Sequence, residues 1–378
     1  MDAEKLTNRA VVNDEPMYSA FLHSKAAAAG VPVSATFELT TRCNFNCRMC
    51  YVHSQDSALC KKEEKSAQWW IDLGKKAIEQ GVVFLLLTGG EPLLRSDFAE
   101  IYTELSKLGF IISINTNGYL ITDEIVQLFR KNPPTRLNIS LYGASDETYE
   151  NVTGVCAFSR VVENVKKLID IGIDVRFSGS FTSLNACDAE KIYNISRELN
   201  VHIKGTQYMF PQVLAGGKHG ENPCRLSPED AAQKRIEWLK LIYTPEEYQK
   251  RLRAIVDGVD AFSLPGDEEL GEGRVRCRAG KSSTWVNYKG EMCFCGVAGH
   301  PFSIDEYGFN GAWEKVKELS DSIRTPAKCE GCRYKNICCV CAAACYTETG
   351  DFSSVPTYIC RMTECISQLM KKEVEGLE

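Results

Sequence analysis

The sequence predicts an α/β protein with a parallel sheet and a cysteine-rich end, and three observations carry that prediction. From about residue 35, six short apolar segments alternate with amphipathic helical ones. Two of these segments end in glycine and polar residues, "TGGEP" and "NTNG". Of 18 cysteines, eleven lie from Cys277 onward and three are packed into "TTRCNFNCRMCY", so the thiols are placed in groups rather than scattered.

The strands expected in order are "ATFELT" (35–40), "VVFLLLTGG" (82–90), "FIISINTNG" (110–118), "RLNISLYG" (136–143), "DVRFSGSF" (174–181) and "HIKGTQYMF" (202–210). Helices between them have start signals at Ser66, Ser96-Asp97, Thr122-Asp123 and Asp188, and Gly81 and Gly109 follow helices as stops. A doubly wound sheet and a full or partial barrel both satisfy this alternation. In parallel α/β folds ligands bind at the carboxyl ends of strands, and Cys43, Cys47 and Cys50 also fall just past a strand, so three features share one rim.

Residues 213–275 change character: Ser227-Pro228 and Thr244-Pro245 open two further helices, and "LPGDEELGEG" (264–273) reads as an exposed linker. The expected division is an N-terminal arm (1–34), a barrel-like part (35–212), a helical linker (213–275) and a cysteine-rich domain (276–378). In the arm, "MYSAFLHSKAAAAGVPV" reads as an amphipathic helix and turn packed against the barrel.

Composition narrows the function. A hydrophobic content of 44% with 25% charged residues is that of a globular chain, and a net charge of −6 argues against a nucleic-acid partner. The N-terminus lacks a signal peptide and nothing approaches 18 uninterrupted apolar residues, so a cytoplasmic protein without a membrane partner is expected. In that compartment disulfides are rare, which leaves metal binding or redox chemistry for the thiols.

Cys43, Cys47 and Cys50 are spaced C-x3-C-x2-C. Three thiolates can ligate three irons of a cubane cluster and leave the fourth iron open for a substrate or cofactor. The same residues could be one face of a core helix, or a zinc site completed by His53. Arg42, Asn44, Asn46 and Arg48 between them suit a loop around a ligand better than a buried helix.

This motif after the first strand, with Met49 before the third cysteine and "GGEP" at 89–92, resembles the radical S-adenosylmethionine superfamily over about residues 35–212. The resemblance implies a partial (β/α)6 TIM-type barrel. It implies a four-iron four-sulfur cluster on Cys43, Cys47 and Cys50, whose open iron chelates S-adenosylmethionine. Gly89, Gly90, Glu91 and Pro92 would meet the methionyl amine, and Met49, Asn115, Asn117 and Ser140 would contact the cofactor. Glu91 could equally cap the turn it opens. Many relatives carry an arginine before the glycine matching Gly154, where this chain has Thr153.

The C-terminal cysteines resemble the SPASM extension of peptide-modifying radical enzymes, which houses auxiliary four-iron four-sulfur clusters. One cluster would take Cys277, Cys295 and Cys345; the other Cys329, Cys332, Cys338 or Cys341, and Cys360. The fourth ligand that some relatives place six positions before Cys277 is Gly271 here, so the first auxiliary cluster would be open or use Cys293 or Cys339. A zinc site on Cys329, Cys332, Cys338 and Cys341 is the alternative.

The function these resemblances imply is a maturase with three clusters that installs a thioether or carbon–carbon crosslink in a ribosomally made peptide. It would need a reducing partner such as flavodoxin or ferredoxin. The region before the first strand is short for a fused leader-recognition domain, which leaves three expectations: recognition by the enzyme body, a separate leader-recognition protein as partner, or a different substrate. The alternatives are an anaerobic sulfatase-maturing enzyme, for which Asp267, Glu268 and Glu269 offer a base, and an iron–sulfur carrier or structural metal protein. The catalytic residues are not identified from sequence.

Overall fold

The computed structural model describes residues 17–52, 57–256, 277–335, 337, 338 and 340–375. His53, Asp267, Glu268, Glu269, Gly271 and Cys339 lie outside them.

All six expected strands form: β1 (Ser34–Glu38), β2 (Phe84–Thr88), β3 (Ile111–Thr116), β4 (Arg136–Ser140), β5 (Val175–Ser180) and β6 (His202–Thr206). They pair in parallel in sequence order, with β6 at one edge of the sheet. This is the partial (β/α)6 barrel. Each strand ends before the sequence pattern does, because its last polar residues turn out into rim loops.

Period-two alternation gives the sheet two unlike faces. One packs on helices: Phe37 lies tilted against Trp70 of α3 (Ala67–Glu79) with ring centroids 5.2 Å apart. A Cβ on Gly205 would meet Trp238 of α9 (Pro228–Ile242) at 2.6 Å, so β6 must present a glycine there. The register places the polar strand residues Glu38, Thr88, Asn115, Asn138 and Arg176 on the inner face.

Helix starts follow local chemistry. Ser66, Thr122 and Ser227 accept from the backbone N–H groups of Trp69, Ile125 and Asp230. Asp97 and Asp188 do not cap. Asp97 grips the Arg95 guanidinium at 2.7 and 2.8 Å, and Asp188 accepts from the Ala144 N–H at 3.0 Å.

The cysteine-rich end does not start a separate sheet. β7 (Ser283–Val286) pairs in parallel with β1, and β8 (Glu291–Cys295) and β9 (Gly299–Ser303) continue antiparallel from it. A C-terminal helix (Thr357–Glu375) is tied to the linker helices through Glu373, which accepts from Tyr248 and Lys240 at 2.7 and 2.6 Å. The N-terminal helix α1 (Met17–Ala29) differs from expectation. It buries Ala20, His23 and Ala26 but exposes Tyr18, Phe21 and Leu22, because small residues fit the close approach to the sheet. No helix among the described residues is long and apolar enough to cross a membrane.

Candidate active site and cysteine centres

The loop bearing Cys43, Cys47 and Cys50 leaves β1 at the rim and is pinned on three sides. Gly90 and Glu91 donate their N–H groups to the carbonyls of Thr40 and Arg42, at 2.7 and 2.9 Å. Asn46 and Arg48 donate to Thr153 and Val152, carbonyls of the last turn of a helix spanning Asp146–Thr153. The Gln212 amide donates to the carbonyls of Arg48 and Cys50 at 2.8 and 3.0 Å. Gly89 sits at φ +151°, and a Cβ there would fall 2.2 Å from the Thr40 carbonyl oxygen. The "GGEP" glycines therefore let two rim loops touch.

Charge fixes the loop as well. Arg42, next to Cys43, donates two bonds to Glu64 at 2.7 and 3.0 Å, and Arg95 lies 3.6 Å from the same carboxylate. Thr40 also donates its hydroxyl to Glu64.

The three thiols feel one another. Burial pushes Cys43 up to about 11, opposed by the Phe45 N–H at 3.4 Å and the Asn117 amide at 3.7 Å, while Glu91 and Cys50 add to the rise. Cys47 is raised further, by burial first and then by Cys50 and Cys43. Such thiols hold their protons until a metal takes the proton's place. Among the described residues no three His, Cys, Asp or Glu side chains converge closely enough for a single metal ion.

The structure separates the expected cofactor residues into two kinds. Asn115, which accepts from Asn138 at 2.9 Å, and Ser140 lie on the inner face near the rim. The others brace the loops. The Glu91 carboxylate accepts from Leu93, Thr116 and Asn117 at 2.7–3.0 Å, which uses its oxygens to join "GGEP" to "NTNG". Pro92 opens the turn that Glu91 caps. Asn117 donates to Asn44 at 2.8 Å as well as to Cys43. Met49 is buried with Val152, Met209 and Cys224. The Thr153 hydroxyl bonds the Tyr149 and Val155 carbonyls.

At the C-terminal end the thiols form two electrostatic groups. Cys341, pushed up to about 12 by burial, is raised further by Cys277 and Cys295. Cys329 is raised by burial and then by Cys360, Cys338 and Cys332. The sequence pattern expects Cys345 beside Cys277 and Cys295; Cys341 feels those two thiols, while Cys345, one turn into the helix Ala342–Thr349, feels Cys341, Cys329, Cys338 and Cys360. Cys293 is buried, its thiol raised by burial and then by Glu38, Glu291 and Cys295.

Sequence reasoning missed the residues between the first loop and the Cys295 group. Glu38, at the end of β1, is 6% exposed and accepts from the Trp285 indole N–H at 2.9 Å. Burial pushes its carboxyl up to about 7. Tyr51 is raised by burial and then by Glu38, Cys50 and Cys295. The signal was present: Glu38 is the lone charge in the apolar "ATFELT" strand, and a buried lone charge calls for an explanation.

Residues 37–194 match the model of the radical SAM superfamily. Over those residues the chain carries a radical SAM domain. The AdoMet-dependent heme synthase of Methanosarcina barkeri is 28% identical over 357 residues, which cover 88% of this chain and 97% of that relative. A probable GTP 3′,8-cyclase of Saccharolobus solfataricus is 36% identical over 168 residues, 43% of this chain and 53% of the cyclase, so that likeness spans about half of the relative. Among solved structures, Streptococcus suis SuiB bound to its precursor peptide SuiA superposes with a TM-score of 0.68 at 16% identity, covering 94% of this chain and 85% of SuiB. Native anSMEcpe with bound AdoMet and the Kp18Cys peptide gives 0.65 at 16% identity, covering 92% and 99%. These two likenesses show that the fold extends past the radical SAM domain into the cysteine-rich end.

Proposed function

We propose that this radical SAM enzyme is a peptide maturase that uses S-adenosylmethionine and three four-iron four-sulfur clusters to form a thioether or carbon–carbon crosslink. The observation that supports the reading is the join of the cysteine-rich end to the barrel: β7 pairs with β1, and buried Tyr51 feels the thiols of both Cys50 and Cys295. A radical enzyme whose product is oxidised needs an acceptor for the second electron, and a second cluster on the joined sheet would supply it.

The donors suit these groups. Cys43, Cys47 and Cys50 would hold the radical cluster; Cys277, Cys295 and Cys341 one auxiliary cluster; Cys329, Cys332, Cys338 and Cys360 the other. When bound, the first cluster and S-adenosylmethionine supply a 5′-deoxyadenosyl radical that abstracts a hydrogen atom. The chain's own residues orient and shield. Asn117 donates to Cys43, Glu91 locks the two rim loops together, and the carbonyls of Gly89 and Gly90 would meet the methionyl amine. Asn115 and Ser140 offer polar contacts on the inner face.

A second reading has one observation in its favour. The AdoMet-dependent heme synthase relative matches nearly its whole length, which supports a small-molecule substrate such as a heme precursor in place of a peptide. The test common to both is Cys43→Ala in protein reconstituted with iron and sulfide. Reductive cleavage of S-adenosylmethionine should be abolished while C-terminal iron remains. Cleavage that persists would refute the assignment of the radical cluster.

A further inference from the structure

The inner face of the barrel carries a cationic group far from the cysteine loop. Arg136 opens β4, and the register sets Asn138 opposite Arg176 on β5, Arg176 opposite His202 on β6, and Ser178 opposite Lys204. All four basic side chains therefore point to one face. Asp174 is the acid they share: it lies 3.8 Å from Arg136 and 3.4 Å from Arg176. His202 feels Arg176, Arg136 and Lys204 as well as Asp174, and its proton is disfavoured by burial first.

Two arginines thus share one carboxylate, itself half-exposed, and Lys204 lies further along the same face opposite Ser178. The Arg136 Nε is buried without a hydrogen-bond partner, although guanidinium donors are costly to leave unmet. A structural ion-pair network would balance its charges, as Arg42, Glu64, Arg95 and Asp97 do at the rim. Here the excess is positive and open: Lys204 and Ser178 are exposed, and β6 is the edge strand of the sheet.

Polar side chains connect this group to the rim. Arg136 and Ser140 stand at opposite ends of β4, about 13 Å apart along the strand. Between them Asn138 and Asn115 face the interior, and Ser178 and Ser180 follow on β5. A substrate reacting at the rim could lay a carboxylate on this floor.

We propose that Arg136, Arg176 and Lys204, with His202, form a carboxylate-binding subsite that anchors an anionic part of the substrate roughly 13 Å from the reacting carbon. The subsite deepens the proposed function, since it rests on the rim being where the substrate reacts. The carboxylates could belong to acidic residues of a peptide or to a small polycarboxylate.

The test is equilibrium binding to the full-length, cluster-reconstituted protein. Three probes are used: a fluorescein-labelled tetrapeptide with two central glutamates, its glutamine counterpart, and citrate as competitor. Preference for the glutamate over the glutamine peptide assigns the site to a peptide chain. Citrate binding without that preference assigns it to a small polycarboxylate, and either supports the subsite. Arg136→Gln with Arg176→Gln should weaken the anionic probe by about tenfold or more. Lys204→Glu, which is exposed and cannot disturb packing, should weaken it about fivefold. Binding of neither anion, or affinities unchanged in Lys204→Glu, would overturn the proposal. Reductive cleavage of S-adenosylmethionine without substrate should stay at wild-type level in all of these variants. If cleavage is absent even in the wild type, it is the proposed function that fails and not the subsite.

Discussion

Removing the Glu64 carboxylate by Glu64→Ala should unfasten the radical-cluster loop before anything else. Glu64 accepts two bonds from Arg42 and one from Thr40, and it lies 3.6 Å from Arg95. Its side chain is 8% exposed, and those of Arg42 and Arg95 are 14% and 4% exposed. Without it two buried guanidiniums face each other, and only Arg95 keeps an acid, Asp97 at 2.7 Å. Breaking one partner of such a buried set costs about 3–5 kcal/mol. For a chain of 378 residues that corresponds to a fall in Tm of roughly 4–6 °C. The assay is a thermal melt paired with iron analysis and cofactor cleavage on anaerobically reconstituted protein. Tm should fall in that range, about four irons should be lost, and cleavage should stop, while the C-terminal iron is kept. Arg42→Met combined with Glu64→Leu replaces the pair by apolar groups and should recover part of the loss, because no buried charge is then stranded at position 42. A Glu64→Ala protein that melts within a degree or two of wild type and retains all of its iron would refute the reasoning.

Cys341→Ala should remove the iron of the first auxiliary cluster, about four per chain, and Cys345→Ala should leave the iron count within error. The opposite result would restore Cys345 as the ligand and refute the grouping drawn from burial and charge. Glu38→Gln tests the buried carboxyl by pH. Its folded pKa, raised from 4.5 to about 7, makes a stabilising contribution that is fully present below pH 4.5 and is lost as pH rises through 7. That displacement is worth about 3 kcal/mol, so the Tm of the wild type should fall relative to Glu38→Gln between pH 5 and pH 8. Parallel Tm curves for the two proteins would show that Glu38 is ionised throughout.

Local chemistry made most of the barrel legible, and long-range packing decided the rest. The six strands and the Ser66, Thr122 and Ser227 caps follow from alternation and from single side chains bonding N–H groups three residues on. Asp97 failed as a cap for a reason no local pattern contains: Arg95, two residues earlier, is aimed at Leu39 and Lys65 on other elements and holds the carboxylate with it. Glu91 illustrates the same limit inside the site. The motif "GGEP" marks it as important, but only the folded chain shows its carboxylate spent on Thr116 and Asn117. The cysteine spacings do not separate Cys341 from Cys345: the two stand one turn apart at the start of the helix Ala342–Thr349, and only the fold shows which thiols each of them feels.

Because β7 pairs with β1 directly, the cysteine-rich end is a continuation of the barrel sheet. Trp285 on β7 reaches Glu38 on β1, and Cys293 stands opposite Trp285 on β8, so the three inner-face residues share one surface across the join. A separate module joined by a linker could drift relative to the radical loop. A shared ladder of backbone hydrogen bonds fixes Cys295 relative to Cys50 to within the play of a β-sheet. If the proposed auxiliary cluster forms on Cys295, electron transfer between it and the first loop would need that constancy, and pairing β7 on the first strand of the barrel provides it.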